Sequence, residues 1–145
     1  LPNKSCFSFN ALLANLIPLF PETEFALAKE DLMLYADKGQ FDQVMINVLK
    51  NAVEAMVETK EQRIEVNCYQ DEKWQYIHIS DHGSGIANTN NLFVPFYTTK
   101  QQGSGIGLPL CRQIMFNHNG QFKLNNRKDK AGVEAILSLP RFTNG

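Results

Sequence analysis

Three short runs in this 145-residue chain place side chains where chemistry would want them. In "DQVMINVLKNAVEAM", Asp42 to Met56, the asparagines Asn47 and Asn51 stand four apart on a stretch that otherwise reads as strongly helical. Asparagine is a poor helix former because its amide competes for backbone hydrogen bonds, so in mid-helix it needs an indifferent exposed face or a task. Four apart, the two amides project in the same direction. Their short neutral oxygens on a rigid rod suit Mg²⁺, which keeps several waters and takes its remaining ligands from protein and phosphate. In "DHGSGI", Asp81 to Ile86, an acidic residue closes a strand, and Gly83 and Gly85 let the backbone approach a ligand closely. Such a carboxylate could accept a hydrogen bond from the exocyclic amine of adenine. In "GSGIGL", Gly103 to Leu108, glycine at every other position precedes a helix, which suits backbone amides turned towards phosphate.

Each run also has a plainer reading. Asp81 could cap the amides of a strand-to-loop turn, and for this residue taken alone the two readings weigh equally. The Gly-x-Gly-x-Gly run is neither a Rossmann fingerprint, lacking its spacing and a preceding strand, nor a P-loop, lacking Gly-Lys-Ser/Thr; alone it reads as a hinge. The asparagine face of the helix could simply be solvated, although such faces usually take Glu, Lys and Gln. The conjunction of all three in one chain favours the ligand-binding reading.

Positioning these residues requires a scaffold, and its elements are legible. Phe9 to Phe20 has helical periodicity and stops at Pro21, with short β-like runs at Phe25 to Ala28 and Leu32 to Ala36. From about Gln40 to Lys60, residues Phe41, Val44, Met45, Val48, Leu49, Ala52, Ala55 and Met56 make one apolar stripe, with Asn47, Lys50, Asn51, Glu54 and Glu58 opposite. Two strands follow, Arg63 to Gln70 and Trp74 to Asp81, and period two puts Asp81 on the same inward face as Ile77 and Ile79. A carboxylate ending a core-facing row is costly to desolvate and needs a partner or ligand. Gly83 to Gly107 is a long Gly-rich loop around an aromatic cluster, a length that usually marks a functional lid or disorder. Leu108 to Asn117 reads as a helix ending at Asn119-Gly120, and Gln121 to Asn126 and Val133 to Leu139 as a closing strand pair.

Composition bounds the partners. With 43% hydrophobic and 20% charged residues the chain fits one domain with its own core, residues 1–145. A formal net charge of −1 argues against nucleic acid or an anionic membrane as the main partner, so phosphate must be met locally. Cys6, Cys68 and Cys111 are odd in number and form no Cys-x-x-Cys pair, which suits a reducing cytoplasm and indicates neither a disulfide framework nor zinc. The apolar stretch Ala11 to Phe20 is broken by Asn15 and Pro18 and is too short to span a bilayer.

"NVLKNAVEAM", "DHGSGI", "LFVPFYTTK" and "GSGIGLPL", in this order and spacing, resemble the N, G1, F and G2 boxes of the ATP-binding catalytic domain of sensor histidine kinases, in the GHKL superfamily of gyrase, chaperone, kinase and mismatch-repair ATPases. The resemblance covers nearly the whole chain, and "PFYTTK" with "NAVEAM" is most similar to the nitrogen-regulatory branch. It implies an α/β (α+β) two-layer sandwich, the Bergerat fold, in which a mixed, mostly antiparallel sheet packs on a layer of helices with an ATP lid. Asp81 then corresponds to the adenine-binding aspartate, with Gly83 and Gly85 shaping its pocket. Asn51 corresponds to the Mg²⁺ ligand, with Asn47 beside it and Lys50 near the phosphates. The lid would run from Ala87 to Ser104, with Phe93 and Phe96 packing it down and Lys100 reaching the terminal phosphate. Gly103, Gly105 and Gly107 would face the phosphates, and Ile86, Thr98, Thr99 and Leu108 complete the nucleotide-binding set.

Two positions depart from the family pattern. His82 replaces a common asparagine and is expected to be a partly exposed loop residue without a catalytic task. Glu54 stands where many such kinases carry a basic residue, leaving phosphate neutralisation to Lys50 and Lys100. In hydrolytic members of the superfamily a glutamate one turn before the metal asparagine activates water; here that position is Asn47, whose amide is no general base. The resemblance therefore implies a kinase that conserves its γ-phosphate until an acceptor arrives.

None of His78, His82 and His118 lies in an acidic helical His-Glu context, so the phosphoacceptor helical domain is expected N-terminal to Leu1, with a response regulator downstream. The resemblance implies a homodimer for the intact kinase, a monomer for this domain, and a cytoplasmic location with any membrane anchor upstream. Two alternatives stand beside it: a serine kinase of the anti-sigma type, and a degenerate nucleotide-sensing module that binds ATP only to change shape.

Overall fold

The computed structural model describes residues 1–57, 59, 61–83, 107–128 and 131–141. Along the chain run β1 (Ser5–Ser8), α1 (Phe9–Leu16), a 3-10 turn (Ile17–Leu19), β2 (Glu24–Leu27), β3 (Met33–Ala36), α2 (Lys38–Ala55), β4 (Arg63–Gln70), β5 (Trp74–Ser80), α3 (Gly107–Asn117), β6 (Gln121–Asn126) and β7 (Val133–Pro140). Among the described residues five strands form one sheet in the order β2-β4-β5-β7-β6, while β1 and β3 pair as a separate antiparallel ribbon. In this sheet β2 and β4 run parallel, and the pairings β4–β5, β5–β7 and β6–β7 are antiparallel. The mixed, mostly antiparallel sheet expected from the sequence is therefore the one that forms.

Register follows from burial. Val66 lies opposite Ile79, and Ile77 and Phe122 both lie opposite Leu137, so one face of the sheet is a continuous apolar row. A slip of one residue would turn that whole set outwards. Onto this face pack Phe41, Val44, Met45, Val48, Leu49 and Ala52 of α2 and Cys111, Ile114 and Met115 of α3, in one cluster with Phe9, Leu12, Leu13 and Leu16 of α1. Each fully buried Leu, Ile, Phe or Met contributes about 1.5–3 kcal/mol of transfer free energy, which holds the two layers together. No helix among the described residues is long and apolar enough to cross a membrane.

Element ends differ from the expected ones for identifiable reasons. The first helix stops at Leu16 because Pro18 has no N–H to continue the ladder, and the chain tightens into the 3-10 turn. The strand β1 was not anticipated, since four residues give too little alternation to read. Helix α2 starts two residues early, at Lys38, because Asp37 caps it: the Gln40 N–H donates to Asp37 Oδ1 at 3.2 Å. It ends at Ala55 instead of about Lys60. The Met56 carbonyl is taken by Thr59 Oγ1, which donates at 3.0 Å, and by the side-chain amide of Gln62, so side chains replace the next turn of helix.

Candidate functional site

The backbone of β5 delivers Asp81 to the end of the inward row. The Asp81 N–H donates to the Val133 carbonyl at 2.9 Å, adding one step to the β5–β7 ladder. The residue is only 4% exposed, and its Oδ1 accepts from the N–H groups of Gly83 at 2.9 Å and Val133 at 3.0 Å. Asp81 thus caps a turn, as the plainer reading held, and at the same time lines an apolar pocket. Val48, Asn51 and Ala52 of α2 form one wall of that pocket, and Ile79 and Leu108 lie beside Asp81. Phe122, Leu124, Val133 and Ala135 of β6 and β7 form the other wall. A carboxylate held by two backbone amides in such a place is a fixed acceptor in low dielectric, where one directional hydrogen bond carries most weight.

The close approach of the following turn demands glycine at 83. A Cβ there would lie 2.6 Å from the Ala55 carbonyl oxygen, so the end of α2 and the Asp81 turn touch backbone to backbone. Asn47, one turn before Asn51, faces the start of α3. Its Oδ1 accepts from Gln43 Nε2 at 3.4 Å, and its amide carbon lies 3.6 Å from where a Cβ on Gly107 would be. The Cys111 thiol sits beneath, donating to the Val44 carbonyl; burial pushes it up to about 12, and a hydrogen bond with the Asn47 side chain pulls the other way. Lys50 is solvent-exposed on the same helix.

Residues 36–143 match the family model described as "Histidine kinase-, DNA gyrase B-, and HSP90-like ATPase". The chain belongs to this ATPase family. It is 32% identical over 135 residues to sporulation kinase C of Bacillus subtilis (strain 168), covering 90% of this chain and 30% of that protein. Sensor protein FixL of Bradyrhizobium diazoefficiens is 38% identical over 94 residues, 63% of this chain and 18% of that protein. The chain therefore spans less than a third of either relative. Among solved structures, the catalytic domain of histidine kinase ThkA, in a nucleotide-free form, superposes with a TM-score of 0.80 at 31% identity, covering 95% of both chains. A mycobacterial sensor histidine kinase, MprB, shares the fold, with a TM-score of 0.79 at 22% identity over 94% of this chain and 97% of its own.

Within this ATPase domain the structure brings Asn51, Asp81 and Leu108 to one pocket and sets Asn47 against Gly107. Gly85, Ile86, Phe93, Phe96, Thr98, Thr99, Lys100, Gly103 and Gly105, and with them the expected lid, lie outside the described residues. Among the described residues no group of three His, Cys, Asp or Glu side chains could hold a metal by itself. The neutral amide oxygens of Asn47 and Asn51 on α2 are hard donors, of the kind taken by a cation completed by water and phosphate oxygens.

The sequence misplaced one histidine. His82 is not a partly exposed loop residue: its side chain is 6% exposed, with Nδ1 3.3 Å from Glu61 and Nε2 3.0 Å from Glu65. Those two carboxylates are what draw the ring in, and nothing local to "DHG" announces them. His78 does face the open side of the sheet, 3.3 Å from Glu134. Sequence reasoning also passed over Val48, Ala52, Phe122, Leu124, Val133 and Ala135 as pocket walls. The alternation of β6 and β7 marks Phe122, Leu124 and Ala135 as inward-facing, but which end of the sheet opens is not a periodic property.

Proposed function

We propose that this chain is the ATP-binding catalytic domain of a sensor histidine kinase, which binds Mg-ATP and gives the γ-phosphate to a histidine on a separate helical domain of the same kinase. The observation that carries the reading is the buried Asp81 carboxylate, fixed by two backbone amides in an apolar pocket that Asn51 also lines. Asp81 accepts a hydrogen bond from the exocyclic amine of adenine, and the mostly apolar walls from α2, β6 and β7 exclude water from the ring. Asn51, with Asn47 one turn away, would hold Mg²⁺ through its amide oxygen. Bound there, the cation would neutralise charge on the phosphates. Lys50 adds positive charge on the same helix. Asn47 cannot take a proton from water at neutral pH, so the nucleotide is held and not hydrolysed.

This division of labour leaves catalysis to positioning and charge neutralisation, and the acceptor must be brought to the site by another domain. The partners are then the phosphoacceptor helices and, after them, a response regulator; the intact kinase is a dimer and this domain alone a monomer. The test is phosphotransfer from γ-labelled ATP with the 145-residue chain alone, and then with a phosphoacceptor helical domain added or fused. Acid-labile phosphohistidine on the added domain is expected, with little label or free phosphate from the chain alone. Acid-stable phosphoserine on a partner would replace this reading with a serine kinase of the anti-sigma type. Rapid hydrolysis by the chain alone would remove the role given to Asn47.

A further inference from the structure

Asp81 is gripped from a direction that neither the pocket nor its own turn accounts for. The β6–β7 connection brings Arg127 beneath it, and Arg127 Nη1 donates to the Asp81 backbone carbonyl at 3.0 Å. The Arg127 side chain is only 8% exposed, and its Nη2 lies 3.6 Å from Glu65 Oε1 on β4. Glu65 also meets His82 Nε2 at 3.0 Å, so the arginine's charge is matched by a carboxylate that in turn holds the residue after Asp81. The backbone of the same connection closes the grip. Arg127 N–H donates to the Gly132 carbonyl at 2.9 Å, and Gly132, at φ +130°, passes so near that a Cβ would lie 2.2 Å from the Asp81 carbonyl oxygen. Val133 then exchanges hydrogen bonds with Asp81, receiving at its carbonyl from the Asp81 N–H at 2.9 Å and donating to Oδ1 at 3.0 Å.

Arg127 does not line the pocket; Asp81 does. A planar guanidinium with five donors is suited to bridge a carbonyl and a carboxylate at once, which an ammonium does less well. A buried arginine committed in this way fixes the main chain from which the Asp81 carboxylate projects. We propose that Arg127 is a positioning residue for base selectivity: by clamping the Asp81 carbonyl to Glu65 it sets the carboxylate where it meets the 6-amino group of the purine. The inference rests on the reading of Asp81 as the acceptor of that amine. A hydrogen bond is lost steeply with misalignment, whereas apolar contact with the ring tolerates small shifts. Arg127 therefore acts on discrimination more than on affinity for purine triphosphates in general.

The experiment measures dissociation constants of the full 145-residue chain for Mg-ATP and for the purine riboside triphosphate that lacks the 6-amino group. Wild type should prefer ATP by about tenfold or more, the worth of one charge-assisted hydrogen bond. If wild type binds both equally, the reading of Asp81 falls, and the role of Arg127 falls with it. Given a selective wild type, Arg127→Met should cut the preference to about threefold or less by weakening ATP alone, and Arg127→Lys, which keeps one charged donor group, should restore part of it. The proposal is overturned if Arg127→Met is folded with the preference intact, or if it weakens both nucleotides by the same factor, which is what general loosening of the fold would do. Should Arg127→Met fail to fold, Glu65→Leu decides: it leaves the guanidinium present but removes the carboxylate at its far end, so the preference must shrink, and an unchanged ratio overturns the proposal.

Discussion

His118, at the end of α3, accepts at Nε2 a 3.0 Å hydrogen bond from the backbone N–H of Asp37, the residue that caps α2. Its other ring nitrogen, Nδ1, donates to the Ile114 carbonyl at 2.8 Å, so both edges of a side chain only 1% exposed are satisfied in the Nδ1–H tautomer. The pair ties the far end of the helix that starts at Gly107 to the near end of the helix that carries Asn47 and Asn51. Replacing His118 by alanine leaves the Asp37 N–H without its acceptor and opens a hole beneath the cap. It should cost about 1–3 kcal/mol, as for other buried donors stripped of their acceptor. Urea unfolding of wild type and His118→Ala measures this, and a difference below about 0.5 kcal/mol, the scatter of neutral surface changes, would show the contact to be incidental.

Asp81→Asn is nearly isosteric, so the turn should survive while the charge-assisted acceptor is lost. ATP binding should weaken by about 1.5–3 kcal/mol, and selectivity against GTP should narrow because the new amide can donate to the guanine carbonyl. Calorimetry with non-hydrolysable ATP and GTP analogues reads both quantities. Unchanged affinity for the ATP analogue would remove Asp81 from base recognition.

Glycine substitutions separate close approach from mere flexibility. Gly83→Ala places a methyl 2.6 Å from the Ala55 carbonyl oxygen, an atom of backbone that cannot step aside. The turn and the end of α2 must part, at a cost of about 1–3 kcal/mol with some loss of nucleotide affinity. Gly39→Ala meets only Asp37 Oδ1, at 3.6 Å, in the first turn of α2. It should be neutral or stabilising by up to about 1 kcal/mol, since it lowers the entropy of the unfolded chain. Thermal melts of the two variants should move in opposite directions or, at the least, differ by several degrees.

The thiols should divide by burial. Cys6 is exposed and should react with an alkylating reagent at once, whereas Cys111 is buried and held protonated, its value pushed up to about 12 by desolvation. In the unfolded chain Cys111 ionises from near its ordinary value of 9.0, so above that pH the unfolded state loses a proton that the folded state keeps. The stability contributed by the neutral thiol is therefore complete below pH 9 and is lost as pH rises from there through about 12. Stability against pH should fall less steeply over that range in Cys111→Ala than in wild type, and parallel curves would contradict the assignment. Mass spectrometry after brief alkylation at neutral pH should find label on Cys6 and none on Cys111.

Much of this was legible because it is periodic. The apolar stripe of α2, the alternation of β4 and β5 and the inward parity of Asp81 are local regularities, and the structure keeps all three. Ends were less legible, because they are decided by particular partners: Gln62 at the Met56 carbonyl stops α2 where periodicity alone would carry it further. Burial of His82 was misread for the same reason, since Glu61 and Glu65 lie far from it along the chain and beside it only after β4 and β5 have paired.

By itself the sequence determined the types of the longer elements, the sheet's inner face, the carboxylate at the end of an inward row and the two asparagines on one side of a helix, because each depends on spacing within a single strand or helix. Only the tertiary structure decided what stands around them. Asp37 meets His118 across 81 residues, and Asp81 meets Arg127 across 46. Neither Arg127 nor His118 carries a mark that distinguishes it from any other arginine in a turn or histidine at a helix end. Their partners are chosen when the sheet closes in the order β2-β4-β5-β7-β6 and α2 and α3 settle on one face of it, a matter of which surfaces bury the most apolar area together.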